Sequence, residues 1–122
     1  VLVPKGLLVV SVPNFDSFGA RSFRERWFPL DLPRHLSHFT IDTLRSALRR
    51  AGFEFQRSAP MPRTSCLWKS ARRAVAAGDR RVLTLVLWTR LGARIAKACL
   101  SSTRNCDMII AVASKGVGGQ GT

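Results

Sequence analysis

Leu7-Leu-Val-Val-Ser-Val12 is a nearly unbroken apolar, β-branched run, introduced by Pro4-Lys5-Gly6 and stopped by Pro13-Asn14. The pattern predicts a strand buried on both faces of a largely parallel sheet. Residues 15–39 have no clean period. Phe15, Phe18, Phe23, Trp27 and Phe28 are mixed with Arg21, Arg24 and Arg26, and Pro29 and Pro33 interrupt any continuous helix through the second half. A long loop is expected here, with one short helix near 17–26; loops of this length in compact domains are usually functional or mobile. At Thr40 the period changes to that of a helix. Thr40 is a candidate N-cap and Asp42 lies in the first turn, while Leu44, Ala47, Leu48 and Ala51 follow one apolar stripe before Gly52. Phe53-Glu-Phe-Gln-Arg57 then alternates apolar and polar, which predicts a half-exposed strand near a sheet edge.

Pro60 and Pro62 close that unit. Residues 64–77 read as a basic helix, with Leu67, Ala71, Ala74 and Val75 apolar and Lys69, Arg72 and Arg73 charged, ending at Gly78. Residues 80–100 read as one further helix. Its first half, Val82 to Trp88, is apolar all round; its second half sets Arg90, Arg94 and Lys97 on one face against Trp88, Ile95 and Cys99 on the other. That is a basic amphipathic helix, a candidate for contact with a membrane surface through residues 64–100. Asp107 to Ala113 returns to a buried strand pattern, and the tail "GVGGQGT" over 116–122 is expected to be flexible. Strand, loop, helix, strand is the order of an α/β layer.

Composition narrows the picture. The chain has 122 residues, 46% of them hydrophobic, enough for one modest domain with a real core. It opens inside a strand-like run with no initiator methionine, which reads as a chain cut from something longer. Twenty Lys and Arg against seven Asp and Glu give a net charge of +13, a balance that favours polyanions or anionic lipid. The cations are spread from Arg21 to Lys115, however, and nucleic-acid docking lacks an aromatic strand platform, a zinc signature or a helix-turn-helix. Cys66, Cys99 and Cys106 form no C-x-x-C pair, so neither a disulfide framework nor a zinc knuckle is suggested, and a reducing, cytoplasmic setting is expected. No uninterrupted apolar run approaches the roughly 20 residues that a membrane-spanning helix needs.

Four strings, in order, make the chain recognisable: "PKGLLVVSVPN", "WFPLDLPRHLSHFT", "TLRSALRRAGFE" and "DMIIAVASK". Together they resemble the C-terminal half of class I S-adenosylmethionine-dependent methyltransferases, nearest to the ubiquinone-biosynthesis-like group that acts on small molecules. The resemblance covers about residues 3–57 and 105–115. It implies the C-terminal part of a Rossmann-like methyltransferase sheet, mixed, with residues 7–12, 53–57 and 107–113 as its last three strands. The last strand is then antiparallel and inserted between the other two. On this reading residues 1–115 are the substrate-side part of the domain, with inserted helices at about 62–104. The family's cofactor site needs a glycine-rich turn after a strand and an acidic residue ending the next strand. Neither is present: the only G-x-G strings lie in the tail, so S-adenosylmethionine is implied as cofactor while its site is not. Lys5 stands where the usual turn has glycine, which argues for a type I turn without positive φ.

The candidate site residues follow from the expected strand end and loop. Asn14, at the carboxyl end of the first strand, is either a substrate hydrogen-bonding group or a strand-ending turn. Trp27 is either a wall for an apolar substrate or an anchor for the loop. Arg34 is a candidate clamp for a carboxylate or phosphate, with pairing to Asp31 as the alternative. His35 and His38 are candidate general bases for removing a substrate proton, or else hydrogen-bond the loop backbone; further ligands for a metal are lacking nearby. A first strand without its parallel neighbour exposes an unpaired edge, so self-association through that edge is expected.

Overall fold

The computed structural model describes residues 5–31, 34, 37–102 and 104–116. Strand β1 (Leu7–Pro13) is followed by helix α1 (Phe18–Phe23), two single 3-10 turns at Arg24–Arg26 and Phe28–Leu30, and helix α2 (Ile41–Arg50). Strand β2 (Phe53–Pro60) comes next, then helices α3 (Thr64–Ala76), α4 (Val82–Trp88) and α5 (Arg90–Cys99), and last strand β3 (Met108–Lys115). The architecture is α/β. The three strands form one sheet in the order β1-β3-β2, and β3 is antiparallel to both neighbours. The last strand thus lies between the other two, and β1 and β2 run in the same direction at the edges. A register irregularity at Gln56 lets β2 bend around β3.

Among the described residues, one face of the sheet is covered by α2 and the other is left more exposed. Leu44 and Leu48 of α2 pack on Ile109, Ala111 and Ala113, joined by Leu8, Val10, Val12, Phe53 and Phe55 from the outer strands. The helix is held in place by a capping box in which Thr40 and Thr43 exchange hydrogen bonds, as the Thr40 signal predicted. On the opposite face Leu7 and Val9 remain 65% and 64% exposed. The expectation that residues 7–12 are buried on both faces is therefore corrected, because α2 supplies cover on one side only. Lys5 also departs from expectation: its φ is +65°, so the turn keeps the left-handed geometry that glycine adopts without cost.

The second core lies in the helical lobe. Ala20, Phe23 and Trp27 pack with Leu67, Ala71 and Ala74 of α3 and Leu87 of α4. Residues 15–31 are thereby a packed segment with a helix and two 3-10 turns, rather than a loose covering loop. Burial of its aromatics against α3 explains the missing period. The helix expected over 80–100 is two helices. Thr89 takes an extended conformation (φ −76°, ψ 144°) and its hydroxyl accepts from the Gly92 N–H to start α5. The buried residues of α5 are Gly92 and Ala93, while Trp88 at the end of α4 and Ile95 and Cys99 of α5 are exposed.

Asp79 sets the entrance to α4. Its carboxylate accepts from Arg81 Nε and Nη2 (2.9 and 2.7 Å to Oδ2), from the Arg81 backbone N–H and from Thr84 Oγ1. Hydrogen bonds from Arg81 hold its carboxyl down at about 2. A depressed value means that these bonds stabilise the fold above the ordinary carboxylate range, and that the contribution fades as pH falls toward 2. Asp79→Asn is expected to lower the melting temperature at pH 7, with the gap from the parent chain closing below about pH 4. Thermal denaturation across pH checks this; a gap independent of pH would contradict it.

Candidate functional site

At the carboxyl end of β1 the chain turns sharply, and Asn14 holds the turn. Its backbone N–H donates to the Asp107 carbonyl (2.8 Å), and it forms a parallel bridge with Phe39, whose carbonyl accepts from Phe15 N–H (2.8 Å). The Asn14 side chain is buried: Nδ2 donates to the carbonyls of Arg104 and Cys106, both at 3.1 Å, and Oδ1 accepts from Asp16 N–H. The residue ties the end of β1 to the approach to β3. Beside it lies a cavity of about 310 Å³ lined by Asn14, Asp16, Thr40, Ile41, Asp42, Arg45 and Arg104. A wider hollow of about 650 Å³ is only the open sheet face around Leu7, Glu54 and Val112. The smaller one is at the strand end, where ligands of open α/β sheets bind. Two carboxylates and two guanidiniums on its wall suit a small polar molecule carrying both donors and acceptors.

Trp27 is fully buried, and its indole Nε1–H donates to Asp107 Oδ1 at 2.9 Å. The same oxygen accepts from Ser17 Oγ at 2.9 Å, and Ser17 Oγ in turn caps α1 by accepting from Ala20 N–H. Burial pushes the Asp107 carboxyl above its ordinary range, opposed by these two donors. Gly19 makes the arrangement possible: a Cβ there would stand 2.3 Å from Asp107 Oδ1 and 3.0 Å from Trp27 Nε1. In this conformation Trp27 acts as the anchor of its segment and leaves no surface to a substrate. The thiol of Cys66 nearby is pushed up to about 11 by burial and by the Asp107 charge, so it stays protonated and inert near neutrality.

Phe15 links the remaining candidates. It is 49% exposed, lies edge-on to Trp27 (6.3 Å) and tilts against the His38 ring (5.3 Å). His38 is half-buried, with Nε2 3.2 Å from the Leu30 carbonyl. A carbonyl only accepts, so that contact places a proton on Nε2 and leaves Nδ1 with the lone pair of a base when the ring is neutral. The rings of Trp27 and His38 therefore meet at Phe15, while the Asn14 side chain is engaged by Arg104, Cys106 and Asp16. Arg34 does not join them: its side chain is 81% exposed and pairs with Asp31 at 3.5 Å, a solvated surface pair. His35 lies outside the described residues.

Sequence reasoning did not single out Phe15, Asp16, Arg45 or Arg104 at the cavity and ring cluster, nor Ser17, Gly19 and Asp107 beneath them. A polar residue directly before a buried strand, as Asp107 is, was the one available signal. The described residues offer no glycine-rich turn following a strand, so they do not fit the cradle that an S-adenosylmethionine-type cofactor requires. No protein family, curated protein or solved structure matches the chain.

Proposed function

We propose that this chain is the substrate-side part of an S-adenosylmethionine-dependent methyltransferase acting on a small molecule, with the methyl donor held by a segment outside these residues. The observation that carries the reading is the sheet order β1-β3-β2 with β3 antiparallel to both neighbours. That is the arrangement the resemblance in the "PRHLSHFT" and "AGFE" strings implies for the last three strands of such a domain. The position of β1 at the edge of the described sheet suits a sheet that continues past it, and the exposed Leu7 and Val9 suit a further layer over the second face in a larger domain. The same edge supports the alternative of self-association.

On this reading the cavity beside Asn14 receives the polar part of the substrate, and His38, which lies against Phe15 and not in the wall of that cavity, is the candidate base at Nδ1 while Leu30 holds the ring. The donor is already activated as a sulfonium, so the chain's own contribution is positioning and proton removal. Calorimetric titration with S-adenosylmethionine tests the reading on the polypeptide extended by the residues encoded directly ahead of Val1. Saturable binding is expected; an extended, folded polypeptide without it would overturn the reading.

A further inference from the structure

Exposed apolar side chains are not scattered over this molecule. Among the described residues ten large hydrophobics are exposed, and seven of them fall between Val82 and Ile95: Val82, Leu83, Leu85, Val86, Trp88, Leu91 and Ile95. Val82 and Leu91 are 77% and 69% exposed. Their helices are not short of packing, because α4 and α5 bury their other residues, Thr84 and Leu87, Gly92 and Ala93, against α3. The outward residues are surplus to the fold. Exposed apolar side chains gathered in this way on two consecutive helices mark an interaction site.

The charges on α4 and α5 themselves have one sign, and Arg81 just ahead of α4 is paired with Asp79. From Arg80 to Cys106 the chain has no Asp or Glu, and it carries Arg80, Arg81, Arg90, Arg94, Lys97 and Arg104. On α5 the exposed stripe alternates the two kinds of residue: Arg90 and Arg94 lie one turn apart, each directly followed by an apolar neighbour, Leu91 and Ile95. Behind them Trp68 of α3 has the Arg90 guanidinium 5.2 Å and the Arg72 guanidinium 4.9 Å from its ring, and a hollow of about 330 Å³ is lined by Thr64, Ser65, Trp68, Arg90 and Arg94. Guanidiniums above an aromatic floor offer forked donors to a phosphate while the surrounding side chains enter an apolar layer.

We propose that α4 and α5 dock this chain on the surface of a bilayer rich in anionic phospholipid. Leu91, Ile95, Val82, Val86 and Trp88 enter the boundary between headgroups and acyl chains, and Arg90, Arg94 and Lys97 meet the phosphates. The helices are 7 and 10 residues long, and among the described residues none is long and apolar enough to cross a membrane, so the contact lies in the surface plane. Charge decides between occupants. A second copy on this face would set two sets of Arg90, Arg94 and Lys97 against each other with no acidic residue between Arg80 and Cys106 to offset them. An anionic lipid layer complements both the charge and the apolar stripe. The proposal does not rest on methyl transfer, and the two are read separately.

Co-sedimentation of the full chain with phosphatidylcholine vesicles, with and without about 30% phosphatidylglycerol, tests it. Binding at least ~10-fold tighter to the anionic vesicles is expected, weakening as salt screens the attraction. Tryptophan emission should shift to the blue on binding, and the shift should shrink in Trp88→Phe, with Trp27 already buried and Trp68, partly covered beneath Arg72 and Arg90, giving the remainder. Leu91→Glu/Ile95→Glu, at exposed positions, should reduce binding by ~10-fold or more; Arg90→Gln/Arg94→Gln, checked for helix content by circular dichroism, gives an independent second variant. Equal binding to neutral vesicles, or full binding by both variants, would overturn the assignment. So would a dimer in sedimentation that Leu91→Glu/Ile95→Glu dissolves, or capture of a single-stranded oligonucleotide with no vesicle binding.

Discussion

Replacing Trp27 with alanine is expected to cost about 3–5 kcal/mol of folding stability, a large share of the roughly 5–15 kcal/mol of a typical domain. The indole is fully buried at the centre of the helical lobe, among Phe23, Leu67, Ala71 and Leu87, and α1 and the 3-10 turns reach α3 through it. Removing it empties the largest fully buried side chain in the described structure and strands one buried acceptor, Asp107 Oδ1, with a single remaining donor. Trp27→Phe should fall between, at about 1–3 kcal/mol, because most of the apolar burial is kept and only the N–H is lost. Urea denaturation followed by far-ultraviolet circular dichroism reads both. A loss below about 1 kcal/mol for Trp27→Ala would mean that the segment is not held by α3 as described.

The effect bears on function because residues 15–31 join the two cores. Phe15 touches both Trp27 and His38, and the Phe28 backbone N–H donates to Ser70 Oγ of α3 (2.8 Å) while Lys69 and Arg73 sit over its ring. Helix α3, on which α4 and α5 pack, is thus connected to the strand-end region through one short stretch. A shift of α3 would be felt at Phe15 and His38.

What was legible in the sequence follows from how local each signal is. Thr40 and Asp42 announced α2, and the Leu44–Leu48 pair its buried face, because a cap and a stripe are written within one helix. Two strands were visible as apolar runs and β2 as an apolar–polar alternation, and their order came from the resemblance, since periodicity cannot say which strand pairs with which. The break at Thr89 was not visible, because the chain has no proline or glycine there and threonine reads as an interior residue. It is made locally: Thr89 is extended and its hydroxyl caps the Gly92 N–H, and Gly92, where a Cβ would lie 2.1 Å from the Val86 carbonyl oxygen, allows α5 to start this close to α4. The continuous apolar run of residues 7–12 said that both faces of β1 seek cover, not that only α2 would supply it. At the site, Trp27 and Asp107 are 80 residues apart, and no local pattern connects an indole in an aperiodic stretch to an aspartate before a strand.

That long-range pair yields a test in which the costs should not add. Asp107→Ala removes the acceptor of both the Trp27 indole and the Ser17 hydroxyl inside a dry site, and each donor left unpaired costs about 1–3 kcal/mol. Gly19→Ala is costly for the opposite reason. Its methyl would stand 2.3 Å from Asp107 Oδ1, and that carboxylate cannot step aside without releasing both donors, so a loss of about 1–3 kcal/mol is expected. In the double variant the clashing oxygen is gone. Asp107 Cγ, 3.1 Å from the added methyl, leaves with it, and the methyl partly fills the space they occupied. The double variant should therefore be more stable than the sum of the single losses requires, by at least about 1 kcal/mol, as neighbours sharing one contact are. Urea midpoints of the four proteins give the coupling directly, and a coupling of zero would mean that Gly19 and Asp107 do not meet in the folded chain.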